Sequence, residues 1–254
     1  MIQLHSSIIR EGIPFLFLHG FLGMGDNWKT LGNKFSEEGY QVHLIDQRNH
    51  GRSPHTSEMN YEVMSQDIKD YCDAHNLKDI ILLGHSMGGK VAMQIAADFP
   101  ELIQKLIIVD IAPKYYAPHH QEILEGLQAL ENQNLTSRGD AEDFLAEYIP
   151  DTGTRLFLLK NLYWKTKEKL SLRLNLDVLQ EASNDVGLAL ADDVVFEKPT
   201  LFINGGNSNY ITKEDKPLIL KHFPNANIKT IEGAGHWVHA EKMPEFFTIV
   251  TEFL

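Results

Sequence analysis

Ile80-Ile81-Leu82-Leu83-Gly84-His85-Ser86-Met87-Gly88-Gly89-Lys90 is the stretch that decides the architecture. Ile80–Leu83 is a short apolar run, as expected of a strand buried on both faces. From Lys90 to Phe99, small apolar residues recur at helical spacing. A serine between a strand and a helix, with glycine two places away on either side, reads as a nucleophile elbow. The turn is too tight for side chains at positions 84 and 88. It holds Ser86 in a strained conformation, with its hydroxyl at the open end of a sheet. Gly89 lets the helix sit close to the strand.

Working outward, short apolar runs alternate with helical patterns. Strands are expected at Phe15–Leu18, Val42–Ile45, Ile80–Leu83, Leu106–Val109, Thr200–Ile203 and Ile228–Ile231, with a further strand or hairpin within Ile2–Ile9. Helices are expected near Trp28–Glu38, Tyr61–His75, Lys90–Asp98, Lys213–His222 and Pro244–Leu254. This order implies a mostly parallel central sheet with helices on both faces. The alternation breaks once, between Val109 and Thr200. There Ile123, Leu124, Leu127 and Leu130, then Phe144, Leu145, Tyr148 and Ile149, then Leu158, Leu159 and Leu162, fall at helical spacing. Leu170, Leu172, Leu174 and Leu176 alternate with polar residues, as in a short extended piece. A block of about 80 residues is too long for a loop. It is expected to be a helical lid over the carboxyl ends of the strands. The division is then a core domain of residues 1–113 and 198–254 and a lid of residues 114–197.

Composition narrows the class. The 254 residues are 43% hydrophobic, enough for one large α/β domain with an insertion. A formal charge of −12 argues against nucleic acid or an anionic membrane as the main partner. Cys72, the single cysteine, lies in a helical pattern and reads as core. No long apolar segment marks a secretory leader, and none approaches the ~20 residues of a membrane span. A cytoplasmic protein, monomeric or homodimeric, is expected.

A serine hydroxyl needs a neighbouring base. Gly233-Ala234-Gly235-His236-Trp237 follows the Ile228–Ile231 strand, and its glycines free the backbone to present His236 at the sheet edge. Among the 12 histidines, His19, His50 and His85 sit on neighbouring loops and read as packing or loop-orienting groups. His119-His120 lacks metal-ligand spacing, so no metal site is expected. The base in turn needs a carboxylate, which in such hydrolases follows the serine and precedes the histidine in the chain. The loop after Thr200–Ile203 reads Gly205-Gly206-Asn207-Ser208-Asn209-Tyr210 and carries none. Asp110, directly after Leu106–Val109, is the first candidate and Asp215 the next. Ser208 then stands where the usual acid would, able to hydrogen-bond His236 as a fourth member. The amides of Met87 and of Phe21, in the loop His19-Gly20-Phe21-Leu22-Gly23, are the expected oxyanion donors. Asp46 and Arg48 read as groups that order their own loop. Gly205-Gly206 lacks the lysine of a phosphate loop.

With these residues in place, the chain resembles the α/β-hydrolase superfamily over nearly its whole length, and within it the YbfF-type bacterial esterases. The likeness rests on Gly84–Lys90, Arg48-Asn49-His50-Gly51, Asp110-Ile111-Ala112-Pro113, Gly205-Gly206-Asn207-Ser208 and Gly233–Lys242. The resemblance implies esterase activity on acyl esters or acyl thioesters, an acid after the earlier strand (Asp110) and a serine in the later loop (Ser208).

The expected activity is therefore a serine carboxylester hydrolase acting on a small-molecule ester, with no metal or organic cofactor. An acyl-thioester hydrolase such as an acyl-CoA hydrolase would use the same site, with Lys160, Lys165 or Lys167 for a CoA phosphate. An aminopeptidase or amidase would use lid carboxylates such as Glu122, Glu125, Glu142 or Asp143. A non-catalytic ligand receptor is the reading from outside enzymology.

Overall fold

The computed structural model describes residues 2–133 and 135–254. The elements run β1 (Ser6–Ile9), β2 (Ile13–Leu18), α1 (Lys29–Glu37), β3 (Tyr40–Ile45), α2 (Tyr61–Ala74), β4 (Ile80–His85), α3 (Met87–Asp98) and β5 (Ile103–Val109). Then come α4 (Gln121–Glu131), α5 (Arg138–Leu145), α6 (Thr152–Leu159), β6 (Leu162–Trp164), β7 (Leu170–Leu172) and α7 (Leu176–Ala182). The chain ends with β8 (Thr200–Gly205), α8 (Lys216–His222), β9 (Ala226–Ile231), α9 (Val238–Glu241) and α10 (Met243–Phe253). Seven strands form one sheet in the order β1-β3-β2-β4-β5-β8-β9, all parallel except β1. This is an α/β hydrolase architecture.

Alternation along the central strands explains why the helices divide between two faces. Leu16, Leu18, Leu82, Leu106 and Ile108 point to one face, where α2 and α3 supply Ile68, Val91 and Ile95. Phe15, Phe17, Leu83, Ile107 and Val109 point to the other, against Phe35 of α1 and Phe246 and Val250 of α10. Cys72 is fully buried in the first of these layers, and burial pushes its thiol up to about 12.

Differences from the sequence reading are local. The expected Lys213–His222 helix opens as a 3-10 turn over Lys213–Asp215, and the α-helix begins only at Lys216, where Pro217 fits the first turn. Leu162, read as helical, lies in β6. It pairs with Leu172 of β7 in a two-stranded hairpin. The N-terminal segment gives a single strand, β1, antiparallel to β3.

Residues between β5 and β8 lie over the carboxyl ends of β2, β3 and β4. Asn161 donates to the Leu22 carbonyl at 2.8 Å, and the Asn175 amide donates to the Asn49 carbonyl at 3.0 Å. One buried lysine ties this block to the core. Lys90 of α3 is 3% exposed. Its ammonium donates to the carbonyls of Lys114 at 2.5 Å and Leu188 at 2.9 Å, near the two ends of the block. Burial, with Lys114 close by, brings its pKa down to about 7. No helix among the described residues is long and apolar enough to cross a membrane.

Candidate active site

Ser86 sits between β4 and α3 with φ 53° and ψ −119°, a conformation that a non-glycine residue holds only under constraint. Its amide donates to the Val109 carbonyl at 3.0 Å. A Cβ at Gly84 would run into the Gly88 carbonyl, and one at Gly88 into the Leu18 carbonyl. Both contacts are with backbone, which cannot yield. Gly84→Ala is therefore expected to destabilise the protein by about 3 kcal/mol, read as a lower midpoint in urea unfolding.

Asp110 follows β5 directly and is also left-handed, at φ 51°. It is fully buried. Its amide donates to the Ile203 carbonyl at 2.8 Å, which fixes it against β8. Its carboxylate accepts from three sides: the Gly205 amide at 3.1 Å on Oδ1, and on Oδ2 the Ser208 hydroxyl at 2.5 Å and His236 Nδ1 at 2.7 Å. The alternative, Asp215, is turned elsewhere. It binds Lys114 at 2.7 Å and caps the Thr212 amide at 2.8 Å. Ser208 thus meets Asp110 rather than the imidazole. The His236 ring is stacked on Tyr210, centroids 4.0 Å apart and planes 19° apart. The Tyr210 amide donates to Ser208 Oγ at 3.2 Å.

Phe21 and Met87 both border the serine. Among the described residues, no protein acceptor pairs with either amide. The loop that carries Phe21 is braced by two buried histidines. His50 Nε2 accepts the Leu22 amide at 3.2 Å while its Nδ1 donates to the Arg48 carbonyl at 2.8 Å. His19 Nε2 accepts the Gln47 amide at 3.0 Å while its Nδ1 donates to the Gly20 carbonyl at 2.8 Å. Only a neutral ring can accept at one nitrogen and donate at the other. Burial enforces that state, bringing His19 down to about 4 and His50 to about 3. His85, also driven well below its usual range by burial, donates from Nε2 to the His236 carbonyl at 2.9 Å. Arg48 pairs with Asp67 through two bonds, at 2.6 and 2.8 Å, and Asp46 accepts the amides of Gly25 and Arg52. Both therefore order their loop.

Ser86 and His236 open on the same cavity of about 240 Å³, with apolar walls that include Phe21, Leu22, Ile123, Phe157, Leu158 and Trp237. Among the described residues, no hydrogen bond joins the Ser86 hydroxyl to His236. The sequence reading passed over Tyr210 and weighed His120 only as a metal ligand. His120 shares this cavity, edge-on to Phe21 at 5.0 Å, and burial takes its pKa down to about 3. The signal for Tyr210 was its place two residues beyond Ser208.

Comparison with known proteins agrees with this fold. Residues 13–154 match the family described as the alpha/beta hydrolase fold. A putative esterase/lipase of Haemophilus influenzae is 42% identical over 96% of this chain and 84% of its own length. Esterase YbfF of Escherichia coli is 33% identical over 95% of this chain and 92% of its own. A solved marine microorganism esterase superposes with a TM-score of 0.96 at 38% identity, covering 100% of both chains. The chain belongs to the α/β hydrolase family, beside the YbfF-type esterases, and is a hydrolase enzyme of the esterase/lipase kind.

Proposed function

We propose that this chain hydrolyses small carboxylic esters through an acyl-serine intermediate, with Ser86 as nucleophile, His236 as base and Asp110 as its carboxylate. The observation that carries the reading is the Asp110-paired imidazole and the elbow serine sharing one apolar cavity. Because Nδ1 faces Asp110, Nε2 is the nitrogen left for the serine proton. Contacts of this kind close when substrate binds. Ser86 Oγ attacks the ester carbonyl as its proton passes to Nε2. The amides of Phe21 and Met87 receive the oxyanion. His236 then protonates the leaving alcohol and activates the water that releases the acid. Asp110 stabilises the imidazolium, and Ser208 holds the second lone pair of the same carboxylate oxygen. The block 114–197 serves as the lid that supplies Ile123, Phe157 and Leu158 to the cavity.

The walls also bear on the rival substrates. Among the described residues, no lysine or arginine lines this cavity, as a CoA phosphate would favour, and no aspartate or glutamate, as a substrate amine would. In a series of p-nitrophenyl esters of increasing acyl length, kcat/KM is expected to rise up to about fourfold per methylene until the cavity is filled, then level. Matched acyl-CoAs are expected to react more slowly, and aminoacyl anilides not at all. Faster cleavage of acyl-CoA at every chain length would replace the ester reading with the thioester one.

A further inference from the structure

We propose that Tyr210 is a positioning residue of this reaction, its ring fixing the plane of His236 and stabilising the positive charge the imidazole acquires. The inference rests on the reading of Ser86 and His236 given above.

The bond from Nδ1 to Asp110 fixes one atom of the imidazole but leaves rotation about that bond open. A phenol ring lying 4.0 Å away and 19° from parallel closes that freedom. The His85 ring, 4.7 Å away and tilted by 43°, adds a further wall. Tyr210 is itself held at four points. Its ring meets His236, and its amide donates to Ser208 Oγ. Its carbonyl accepts the Tyr116 hydroxyl at 2.5 Å, and its own hydroxyl reaches His119 Nε2 at 2.6 Å. His119 Nδ1 lies 3.0 Å from the Ala117 carbonyl, which can only accept. The proton of a neutral His119 is therefore on Nδ1, and the Tyr210 hydroxyl donates to Nε2. A donating phenol has an electron-richer ring, the better partner for a cation. Tyr210 thus joins the segment leaving Asp110 toward α4 to the face of the base.

The charge in question arises in one step. As the Ser86 Oγ–carbon bond forms, the carbonyl π pair moves to oxygen and the serine proton moves to His236 Nε2, leaving an imidazolium and an oxyanion. The groups that face His236 are Asp110 after β5, His85 at the end of β4, His120 before α4, His239 of α9 and Tyr210. Burial keeps His85, His120 and His239 neutral at ordinary pH. Asp110 is thus the one carboxylate in this set, and Tyr210 the ring stacked face to face with the imidazole.

The test compares Tyr210→Leu, Tyr210→Phe and Tyr210→Trp with wild type and Ser86→Ala, following kcat, KM and the pH profile of kcat/KM on one p-nitrophenyl ester. Tyr210→Leu is expected to lower kcat about 5- to 30-fold, the factor for a desolvated cation–π contact. Its acidic limb should move to lower pH, because an imidazolium with less support gives up its proton sooner. Tyr210→Phe keeps the ring and should fall between wild type and the leucine variant on both measures. If the leucine variant does not fold, Tyr210→Trp decides, since the stronger π face should move the limb to higher pH. Equal losses in Leu and Phe with an unmoved limb, or an unmoved limb in Trp, would overturn the role of the ring. Ser86→Ala separates the two claims. If it is inactive while the limb never moves, only Tyr210 has been misread; if it stays active, the site itself has.

Discussion

Ser86→Ala lowers kcat/KM by about 10⁴- to 10⁶-fold, the loss expected when the nucleophile of an acyl-transfer site is removed. The protein keeps its melting temperature, because the change deletes a hydroxyl that lines a cavity and leaves the backbone bond from the Ser86 amide to Val109 intact. Labelling by a fluorophosphonate is lost in parallel. Two readouts make the result decisive. A variant that is folded and unlabelled yet still cleaves esters removes Ser86 from the chemistry. A wild-type chain that labels stoichiometrically but turns over no ester acts as a receptor.

Asp110→Asn is expected to cost about 10⁴-fold in kcat, by the reasoning that governs a triad carboxylate. Three donors converge on this side chain: the Gly205 amide, the Ser208 hydroxyl and His236 Nδ1. A carboxylate accepts all three. An asparagine presents an NH₂ to one of them, so either a donor faces a donor or the imidazole changes tautomer and offers Ser86 a proton instead of a lone pair. Asp215→Asn supplies the contrast. Its partners are Lys114 and Thr212, outside the cavity, and its loss should reduce turnover less than about tenfold, as for a structural ion pair. Steady-state kinetics of the two variants side by side check the assignment. Near-normal activity in Asp110→Asn beside an inactive Asp215→Asn would reverse it.

The central sheet was legible because its strands are buried on both faces and so read as unbroken apolar runs, Ile80–Leu83 above all. Ser86 was legible because the glycines around it are imposed by backbone contacts. The acid was not. Asp110 and Asp215 both follow the serine and precede His236, and chain order does not say which side chain turns toward the ring. In the structure Asp215 pairs with Lys114, and it is Asp110 that meets the His236 ring. The leucines of 114–197 show helical spacing, but spacing carries no information on where a helix docks. For the same reason nothing in the sequence brought Phe157 beside Trp237, at 5.5 Å between ring centres, or Tyr210 onto the face of His236. Four non-glycine residues in left-handed conformation, Leu22, Asn49, Ser86 and Asp110, follow the ends of β2, β3, β4 and β5 in turn. Three others, Arg10, Asn76 and Asp79, lie between β1 and β2 and between α2 and β4, so the rim where chemistry is expected carries part of the backbone strain rather than all of it.

Lys90 sets a rule for anyone who would exchange parts among these proteins. Its ammonium gathers the Lys114 and Leu188 carbonyls, which lie near opposite ends of the inserted helices, onto the helix that begins behind the serine. The insertion is therefore no free cassette. A chimera that grafts foreign helices onto this sheet without two acceptors for that amine leaves its buried N–H donors unpaired, and the graft succeeds only when position 90 is chosen together with both seams.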